Sequence, residues 1–162
     1  MYNHRKIILI GDNRVGKTSI RRRYLREDFK ENYLMTLGVE FTIRRNDGRV
    51  TQIWDLSGQP GFKKVREAYY IGTTDVIFVY DLSRKETLKS FNNWMKEVSE
   101  NCSTNPRICI VGNKTDLVED EERKRSREYV TSNLNHQLYF QISAKYSQNI
   151  DHLFDQLITR TT

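Results

Sequence analysis

Residues 11–18, GDNRVGKT, have the composition and spacing of a loop that binds phosphate. The loop follows the apolar run 7–10, which we interpret as a buried strand, and it satisfies the pattern GxxxxGK[ST]. The backbone N–H groups of residues 13–18 would surround phosphate oxygens, Lys17 would add a positive charge at the outer phosphates, and the Thr18 hydroxyl would ligate Mg²⁺. The alternative is an ordinary glycine turn, and the strand before the loop favours phosphate binding over it.

A carboxylate ends a second predicted strand, in the segment DLSGQ at residues 55–59. In an open α/β sheet, ligands bind at the carboxyl ends of the strands. Asp55 could therefore hold Mg²⁺, directly or through water, and the Gly58 N–H could reach a terminal phosphate. An ordinary Asp-Gly turn is the alternative, but the phosphate-binding loop upstream favours the metal site.

The segment NKTD, residues 113–116, ends another apolar run and is suited to select a guanine base. A carboxylate can accept hydrogen bonds from the N1–H and the 2-amino group of guanine, whereas adenine has an acceptor at N1 and no 2-amino group. Asp116 would thus exclude adenine, because the wrong base leaves buried polar groups unpaired. Lys114 would lie along the ring, Asn113 would brace the loop, and the Ala144 N–H, at the end of a later strand, would meet guanine O6.

Strands and helices are predicted to alternate, so that each of these segments lies at the carboxyl end of a strand. After the first strand at 7–10, the predicted strands cover residues 39–45, 50–55, 74–81, 107–113 and 138–143. The predicted helices cover residues 16–26, 86–100 and 122–134, and a last amphipathic helix contains residues 150–157. The loop 27–38 has no sustained periodicity, and Phe29, Tyr33 and Thr36 in it could touch a nucleotide. This order predicts an open, mainly parallel sheet with helices on both faces.

Length and composition limit the classes of protein to which the chain can belong. Its 162 residues suffice for one domain, residues 1–162, with a core of its own. The formal net charge of +6 suggests a nucleic-acid partner, but the basic residues are scattered, so we expect none. Cys102 and Cys109 are expected to be free thiols. The sequence contains no signal peptide, apolar span or lipidation signal, so we expect a cytoplasmic monomer, with association at the cytoplasmic face of a membrane left open.

Taken in order, GDNRVGKT, Thr36, DLSGQ, NKTD and the SAK of residues 143–145 resemble the five nucleotide-binding motifs of the Ras-superfamily small GTPases. Segments such as REAYYIGTTDVIFVYDLS and VGNKTDL are most similar to the Rab branch. The resemblance covers essentially the whole chain. It implies the three-layer α/β fold of a small G-protein in the P-loop NTPase class, with a mostly parallel six-stranded sheet, one antiparallel edge strand and helices on both faces. It also implies a switch that binds GTP or GDP with Mg²⁺ and slowly hydrolyses GTP to GDP and phosphate.

The same resemblance assigns roles to individual residues. Thr18 and Thr36 would bind Mg²⁺ through their side chains, and Asp55 would bind it through water. Gln59 would orient the attacking water. The catalytic set is then Gln59, Lys17 and Thr36. The nucleotide contacts are expected at Asn13, Arg14, Val15, Gly16, Lys17, Thr18, Ser19, Phe29, Tyr33, Thr36, Gly58, Asn113, Lys114, Asp116, Ser143, Ala144 and Lys145.

The resemblance also implies how such a switch would communicate with partners. The amides of Thr36 and Gly58 would hold the γ-phosphate, and its loss would release the two segments that contain them. Effectors, exchange factors and activating proteins would bind through residues 30–41 and 58–70. Phe29 would pack edge-on against the guanine.

Three residues depart from the family pattern, namely Asn13, Arg14 and Pro60. A side chain as large as Asn13 could obstruct an arginine supplied by an activating protein, and Arg14 could itself point at the nucleotide. Pro60 biases Gln59 away from the helical backbone region. These departures favour a second hypothesis, a nucleotide-binding adaptor with negligible hydrolysis. A third, a kinase for small nucleotides, is opposed by the NKTD and SAK segments.

Overall fold

The structure of the chain, a computed structural model, describes residues 3–31, 35–46 and 48–159. Its strands are β1 (Asn3–Ile10), β2 (Val39–Asn46), β3 (Arg49–Leu56), β4 (Asp75–Asp81), β5 (Arg107–Asn113) and β6 (Leu138–Gln141). Its helices are α1 (Lys17–Tyr24), α2 (Lys63–Glu67), α3 (Glu86–Lys89), α4 (Phe91–Asn101), α5 (Asp120–Asn133) and α6 (Ile150–Thr159). Short 3₁₀ turns cover Pro60–Phe62 and Thr115–Leu117.

The six strands form one sheet in the order β2-β3-β1-β4-β5-β6. Strand β1 lies inside the sheet, where Ile8 is opposite Trp54 of β3 and Val76 of β4, and both pairings are parallel. Strands β4, β5 and β6 continue the parallel order. Strand β2 pairs with β3 in the antiparallel direction and forms one edge. The predicted mostly parallel six-stranded sheet with one antiparallel edge strand is therefore confirmed.

Helices cover both faces of the sheet. Successive residues of a strand point to opposite faces, and β1 follows this rule, since Ile7 and Leu9 belong to one apolar cluster and Ile8 and Ile10 to the other. Helices α1 and α6 complete the first cluster, and α4 and α5 complete the second. The side chains of these four residues are fully buried. The continuous apolar run that predicted a buried strand thus supplies both layers of the core.

The element boundaries differ from the predicted ones at a few places. The helix predicted over 86–100 is divided into α3 and α4 at Ser90, whose hydroxyl donates a hydrogen bond to the carbonyl of Thr87 at 2.9 Å. Such local bonds from a serine compete with helical hydrogen bonds. Helix α5 begins at Asp120, two positions before the predicted start, because acidic residues in the first turn stabilise a helix N-terminus. Strand β6 ends at Gln141, and Ser143 beyond it forms an isolated bridge with Gln148.

Neither cysteine forms a disulfide, as expected from the sequence. Cys109 is fully buried in β5, and burial raises the pKa of its thiol. Within the part of the chain that the structure describes, the helices are too short or too polar to cross a membrane.

The turn after β1 requires a glycine. Gly11 has φ 137°, and a Cβ at this position would lie 2.1 Å from the carbonyl oxygen of Val79 in β4. Any side chain would therefore push the loop away from the neighbouring strand. The glycine keeps residues 11–16 close to the carboxyl end of the sheet, where the other predicted segments also lie.

A buried ion pair connects α2 to α4. The guanidinium of Arg66 donates to both carboxylate oxygens of Glu97 at 2.8 and 2.9 Å, and the Tyr70 hydroxyl donates to the same carboxylate at 2.8 Å. Arg66 also donates to the backbone carbonyls of Ser57 and Gln59 at 2.9 and 2.8 Å. Burial would raise the pKa of Glu97, but the hydrogen bonds from Arg66 and Tyr70 outweigh it and lower that pKa. The pair fixes the segment after β3 to the body of the domain.

Replacing Glu97 by Gln should lower the free energy of unfolding by about 3 kcal/mol, because it leaves the buried Arg66 guanidinium without its counter-charge. The control is Glu100→Gln on the same helix, where the exposed pair with Lys96 should contribute no more than about 0.5 kcal/mol. Urea unfolding at neutral pH measures both. Since the pKa of Glu97 is lowered on folding, its contribution is complete above the unfolded value of about 4.3 and is lost as the pH falls further. Equal effects of the two substitutions would contradict the assignment.

Candidate nucleotide-binding site

A cleft of about 560 Å³ lies where the segments that follow β1, β3, β5 and β6 come together with the loop that precedes β2. Its lining residues are Asn13, Arg14, Gly16, Lys17, Thr18, Ser19, Arg22, Phe29, Lys30, Glu31, Thr36, Ser57, Gly58, Asn113, Lys114, Asp116, Leu117, Ala144 and Lys145. The carboxyl ends of the parallel strands meet at this edge, as the sequence predicted. One cleft therefore joins segments that are more than a hundred positions apart in the chain.

Lys17, the first residue of α1, lies at the floor of the cleft. Its ammonium group donates to the carbonyls of Gly11 and Asp12 at 2.7 and 2.8 Å, and only 6% of the residue is exposed. Burial lowers the pKa of Lys17 to about 8, although the carboxylates of Asp55 and Asp12 act in the opposite direction. Among the described residues, no carboxylate forms an ion pair with this ammonium group. A buried cation held by two carbonyls is suited to receive an anion.

Three oxygen-bearing side chains meet next to Lys17. The hydroxyls of Thr18 and Thr36 are 2.9 Å apart, and the Thr18 hydroxyl also donates to the carboxylate of Asp55. Asp55 is fully buried, and its Oδ1 atom has no hydrogen-bond partner among the described residues. Burial raises the pKa of Asp55, with Lys17 and Thr18 opposing that shift. A buried carboxylate oxygen without a partner is costly, and this oxygen-only set fits a hard cation such as Mg²⁺.

The DLSGQ segment passes close to the phosphate-binding loop. A Cβ on Gly58 would lie 2.5 Å from the carbonyl oxygen of Gly11, so only a glycine permits this approach. Gln59 has an extended backbone with φ −78° and ψ 137°, as expected for a residue that precedes proline. The side-chain amide of Gln59 donates to the sulfur of Met35, and Gln59 does not belong to the cleft lining.

The carboxylate of Asp116 faces the cleft and is oriented from behind. The Ser143 hydroxyl donates to Asp116 Oδ1 at 2.5 Å. The Asn113 amide donates to the carbonyl of Val15 at 2.9 Å, and its oxygen accepts from the Ala144 N–H at 3.1 Å. These contacts join the loop after β5 to the phosphate-binding loop and to the loop after β6.

Lys114 is extended along one side of the cleft. Its ammonium group donates to the carbonyl of Arg14 at 2.9 Å and to the carboxylate of Asp81 at 2.7 Å. The backbone of Lys114 is left-handed, with φ 68°. With both ends fixed, the aliphatic stem of Lys114 is available as an apolar surface beside the cleft.

The structure brings together most of the residues predicted to touch a nucleotide. Val15 and Ser143 are buried behind the cleft and act through Asn113 and Asp116. Tyr33 lies outside the described residues. Five lining residues were not predicted, namely Arg22, Lys30, Glu31, Ser57 and Leu117. Except for Arg22, these residues are adjacent in sequence to predicted residues or segments. That adjacency is the one signal in the sequence that could have predicted them.

Two side chains that support the phosphate-binding loop were also missed. The indole N–H of Trp94 in α4 donates to Asp12 Oδ1 at 2.9 Å. Arg84 donates to the carbonyl of Asn13 at 3.0 Å and is paired with Asp81 at 3.0 Å. No motif links these residues to the loop in the sequence, because the contacts span 71 and 82 positions.

The chain is similar to known proteins along nearly its whole length. Residues 6–162 match the family model described as the Ras family. Ras-related protein Rab-13 of Canis lupus familiaris is 36% identical over 162 residues, which cover 96% of this chain and 79% of that protein. Ras-related protein Rab-11A of Dictyostelium discoideum is 36% identical over 165 residues, which cover 96% of this chain and 74% of that protein. The chain therefore belongs to the Ras family of small GTPases, and it resembles the Rab members of that family.

Proposed function

We propose that the chain binds GDP and GTP with Mg²⁺ and hydrolyses GTP slowly to GDP and phosphate, as a switch that regulates partner binding. The observation that carries the proposal is the single cleft with complementary ends. One end holds the Lys17 ammonium beside the hydroxyls of Thr18 and Thr36, and the other holds the Asp116 carboxylate. A polyphosphate fits the first end, and a base with two adjacent N–H donors fits the second.

At the phosphate end, the Lys17 ammonium and the N–H groups of residues 13–18 would hold the phosphate oxygens. Thr18 and Thr36 would hold Mg²⁺ through their hydroxyls, and Asp55 through water. When bound, Mg²⁺ neutralises charge on the phosphate oxygens as a Lewis acid. The unpaired Asp55 Oδ1 supports this assignment, since a metal-bound water would supply its missing donor.

For hydrolysis, water attacks the γ-phosphorus, the bond to the bridging oxygen breaks, and the proton of the water passes to phosphate. Gln59 would orient that water. Gln59 does not line the cleft, so its side chain must turn toward the phosphates first. The carbonyl of Gln59 is held by Arg66, which leaves the side chain as the part free to turn.

The switch itself would act through the two segments on either side of the phosphates. Thr36 and Gly58 would hold the γ-phosphate through their amides, and its loss would release residues 30–38 and 58–70. We assign effectors, exchange factors and activating proteins to residues 30–41 and 58–70. Exposed apolar side chains support this assignment. They are Met35, Leu37, Phe41 and Val65.

One observation favours a second function, a nucleotide-binding adaptor with negligible hydrolysis. Gln59 is not among the residues that line the cleft, and Pro60 fixes its extended backbone. If this arrangement persists with GTP bound, the water-positioning role is unfilled.

Chromatography of the nucleotide released on denaturing the purified protein separates these two functions. We expect mostly GDP, because bound GTP would be turned over during purification. Gln59→Leu should then slow single-turnover hydrolysis on the order of a hundredfold. Mostly GTP in the wild type, with an unchanged rate in Gln59→Leu, would favour the adaptor.

Replacing Asp116 by Asn tests the choice of base. The asparagine presents an N–H donor to the two donors of guanine, so the affinity for GDP should fall by about a hundredfold or more. Xanthosine diphosphate has a carbonyl at C2 and should bind the variant better than GDP does. Fluorescence titration measures both affinities. The matched control is the exposed Asp120→Asn, and equal GDP affinities of the two variants would contradict the role of Asp116.

The pKa of Lys17 predicts how nucleotide affinity depends on pH. That pKa is about 8 in the free protein, and a bound phosphate must raise it, so above pH 8 binding takes up a proton. Affinity for GDP should be level below that pH and should fall roughly tenfold between pH 7 and 9. The arginine in Lys17→Arg stays charged over this pH range, so the variant should lose the fall in GDP affinity that deprotonation of Lys17 causes. Any fall that remains would then come from ionisation of guanine. Identical pH profiles for the two proteins would refute the assignment.

A further inference from the structure

Arg23, in the last turn of α1, reaches across to the loop that follows β6. Its Nε donates to the carbonyl of Ala144 at 2.9 Å, and its Nη2 donates to the carbonyl of Lys145 at 2.7 Å. The two donors belong to one planar guanidinium, so the two successive carbonyls are held at a fixed separation and orientation. None of the roles considered so far involves this side chain, which is not part of the cleft lining.

Ala144 is held from both sides of its backbone. Its N–H donates to Asn113 Oδ1 at 3.1 Å, and its carbonyl accepts from Arg23. The Ala144 N–H is the donor assigned to guanine O6, so the contact with Asn113 must weaken when the base binds. The contact of Arg23 is on the carbonyl side and does not compete with the base. It is therefore the contact that can keep Ala144 in place while the base is bound.

The same guanidinium lies over the ring of Phe29, with Cζ 5.7 Å from the ring centroid. Phe29 lines the cleft and belongs to the segment 27–31, which has neither helix nor strand to fix it. The nearby pair of Lys145 and Glu31 is 3.9 Å long and largely exposed, so it adds little. Arg23 thus contacts two parts of the wall at the base end of the cleft, namely the Ala144–Lys145 backbone and the Phe29 ring.

We propose that Arg23 is a positioning residue for the guanine base, which keeps these two parts of the wall in place for a bound base and so slows nucleotide release. The proposal rests on the guanine-nucleotide function proposed above. Among the described residues, the contacts of Arg23 include none that is assigned to phosphate or Mg²⁺. Its loss should therefore accelerate dissociation of the nucleotide and leave the hydrolysis of nucleotide that stays bound unaffected.

The test compares Arg23→Ala, Arg23→Lys and a matched control, Asp151→Asn. The control breaks the exposed ion pair of Arg26 with Asp151, at 3.0 Å, which joins the residues just after α1 to α6 and does not involve Phe29, Ala144 or Lys145. Dissociation is followed with fluorescently labelled GDP in the presence of Mg²⁺ and excess unlabelled GDP. Single-turnover hydrolysis of bound GTP and thermal unfolding are measured on the same preparations.

Arg23→Ala should release GDP roughly tenfold to a hundredfold faster than the wild type, because two charge-assisted hydrogen bonds are lost. Arg23→Lys keeps the charge but not the planar pair of donors, so its release rate should lie between that of the wild type and that of Arg23→Ala. Asp151→Asn should release GDP at the wild-type rate, and single-turnover hydrolysis should be equal in all four proteins.

Unchanged release from Arg23→Ala would overturn the proposal while leaving nucleotide binding by the wild type intact. Slower hydrolysis and a lower unfolding temperature in both Arg23 variants, in proportion to faster release, would also overturn it, because Arg23 would then have only a structural role. A wild-type protein that does not bind GDP at all would overturn both this proposal and the proposed function.

Discussion

The side-chain amide of Asn113 is the interaction on which the geometry of the cleft depends. Its nitrogen donates to the carbonyl of Val15 in the phosphate-binding loop, and its oxygen accepts from the Ala144 N–H in the loop after β6. A Cβ on Gly16 would lie 2.2 Å from this nitrogen, so the glycine is what admits the amide. One neutral side chain at the end of β5 thereby sets the distance between the part of the cleft suited to phosphate and the part suited to a base.

Near the contacts of Asn113, the chain buries two charged side chains that lack full electrostatic compensation. Burial shifts the pKa of Lys17 down and that of Asp55 up, and in both cases the charged form is the one disfavoured. A polyanion beside Lys17 and a cation beside Asp55 would relieve both. A ligand that binds only the folded state adds to its stability, so a bound polyanion and cation would stabilise this domain.

The sequence alone predicted those features that depend on residues close together in the chain. Local sequence patterns predicted all six strands of the sheet, and the spacing of GDNRVGKT, DLSGQ, NKTD and SAK predicted which loops would share one edge. Contacts between distant residues could not be predicted in this way. The pairing of Arg66 with Glu97 spans 31 positions and that of Arg23 with Ala144 spans 121, and an arginine carries no local mark of its partner.

The directions of side chains could not be predicted from the sequence either. The extended backbone of Gln59 follows from Pro60, but the contact of its amide with Met35 depends on how two loops approach each other. The role predicted for Tyr33 stays a prediction. At Ser90, a single hydroxyl divides a helix whose apolar periodicity was continuous, because one hydrogen bond to the carbonyl of Thr87 competes with the helical pattern.

The buried pair of Arg66 and Glu97 also has a mechanical consequence. Arg66 is carried by α2, whose neighbouring residues Lys63 and Lys64 are exposed, and it holds the carbonyls of Ser57 and Gln59 at the edge of the cleft. A protein that pulls α2 outward must break these bonds or drag the backbone of DLSGQ with it. Arg66 therefore links the exposed surface of α2 directly to the backbone of residues 57 and 59, beside the phosphate-binding loop.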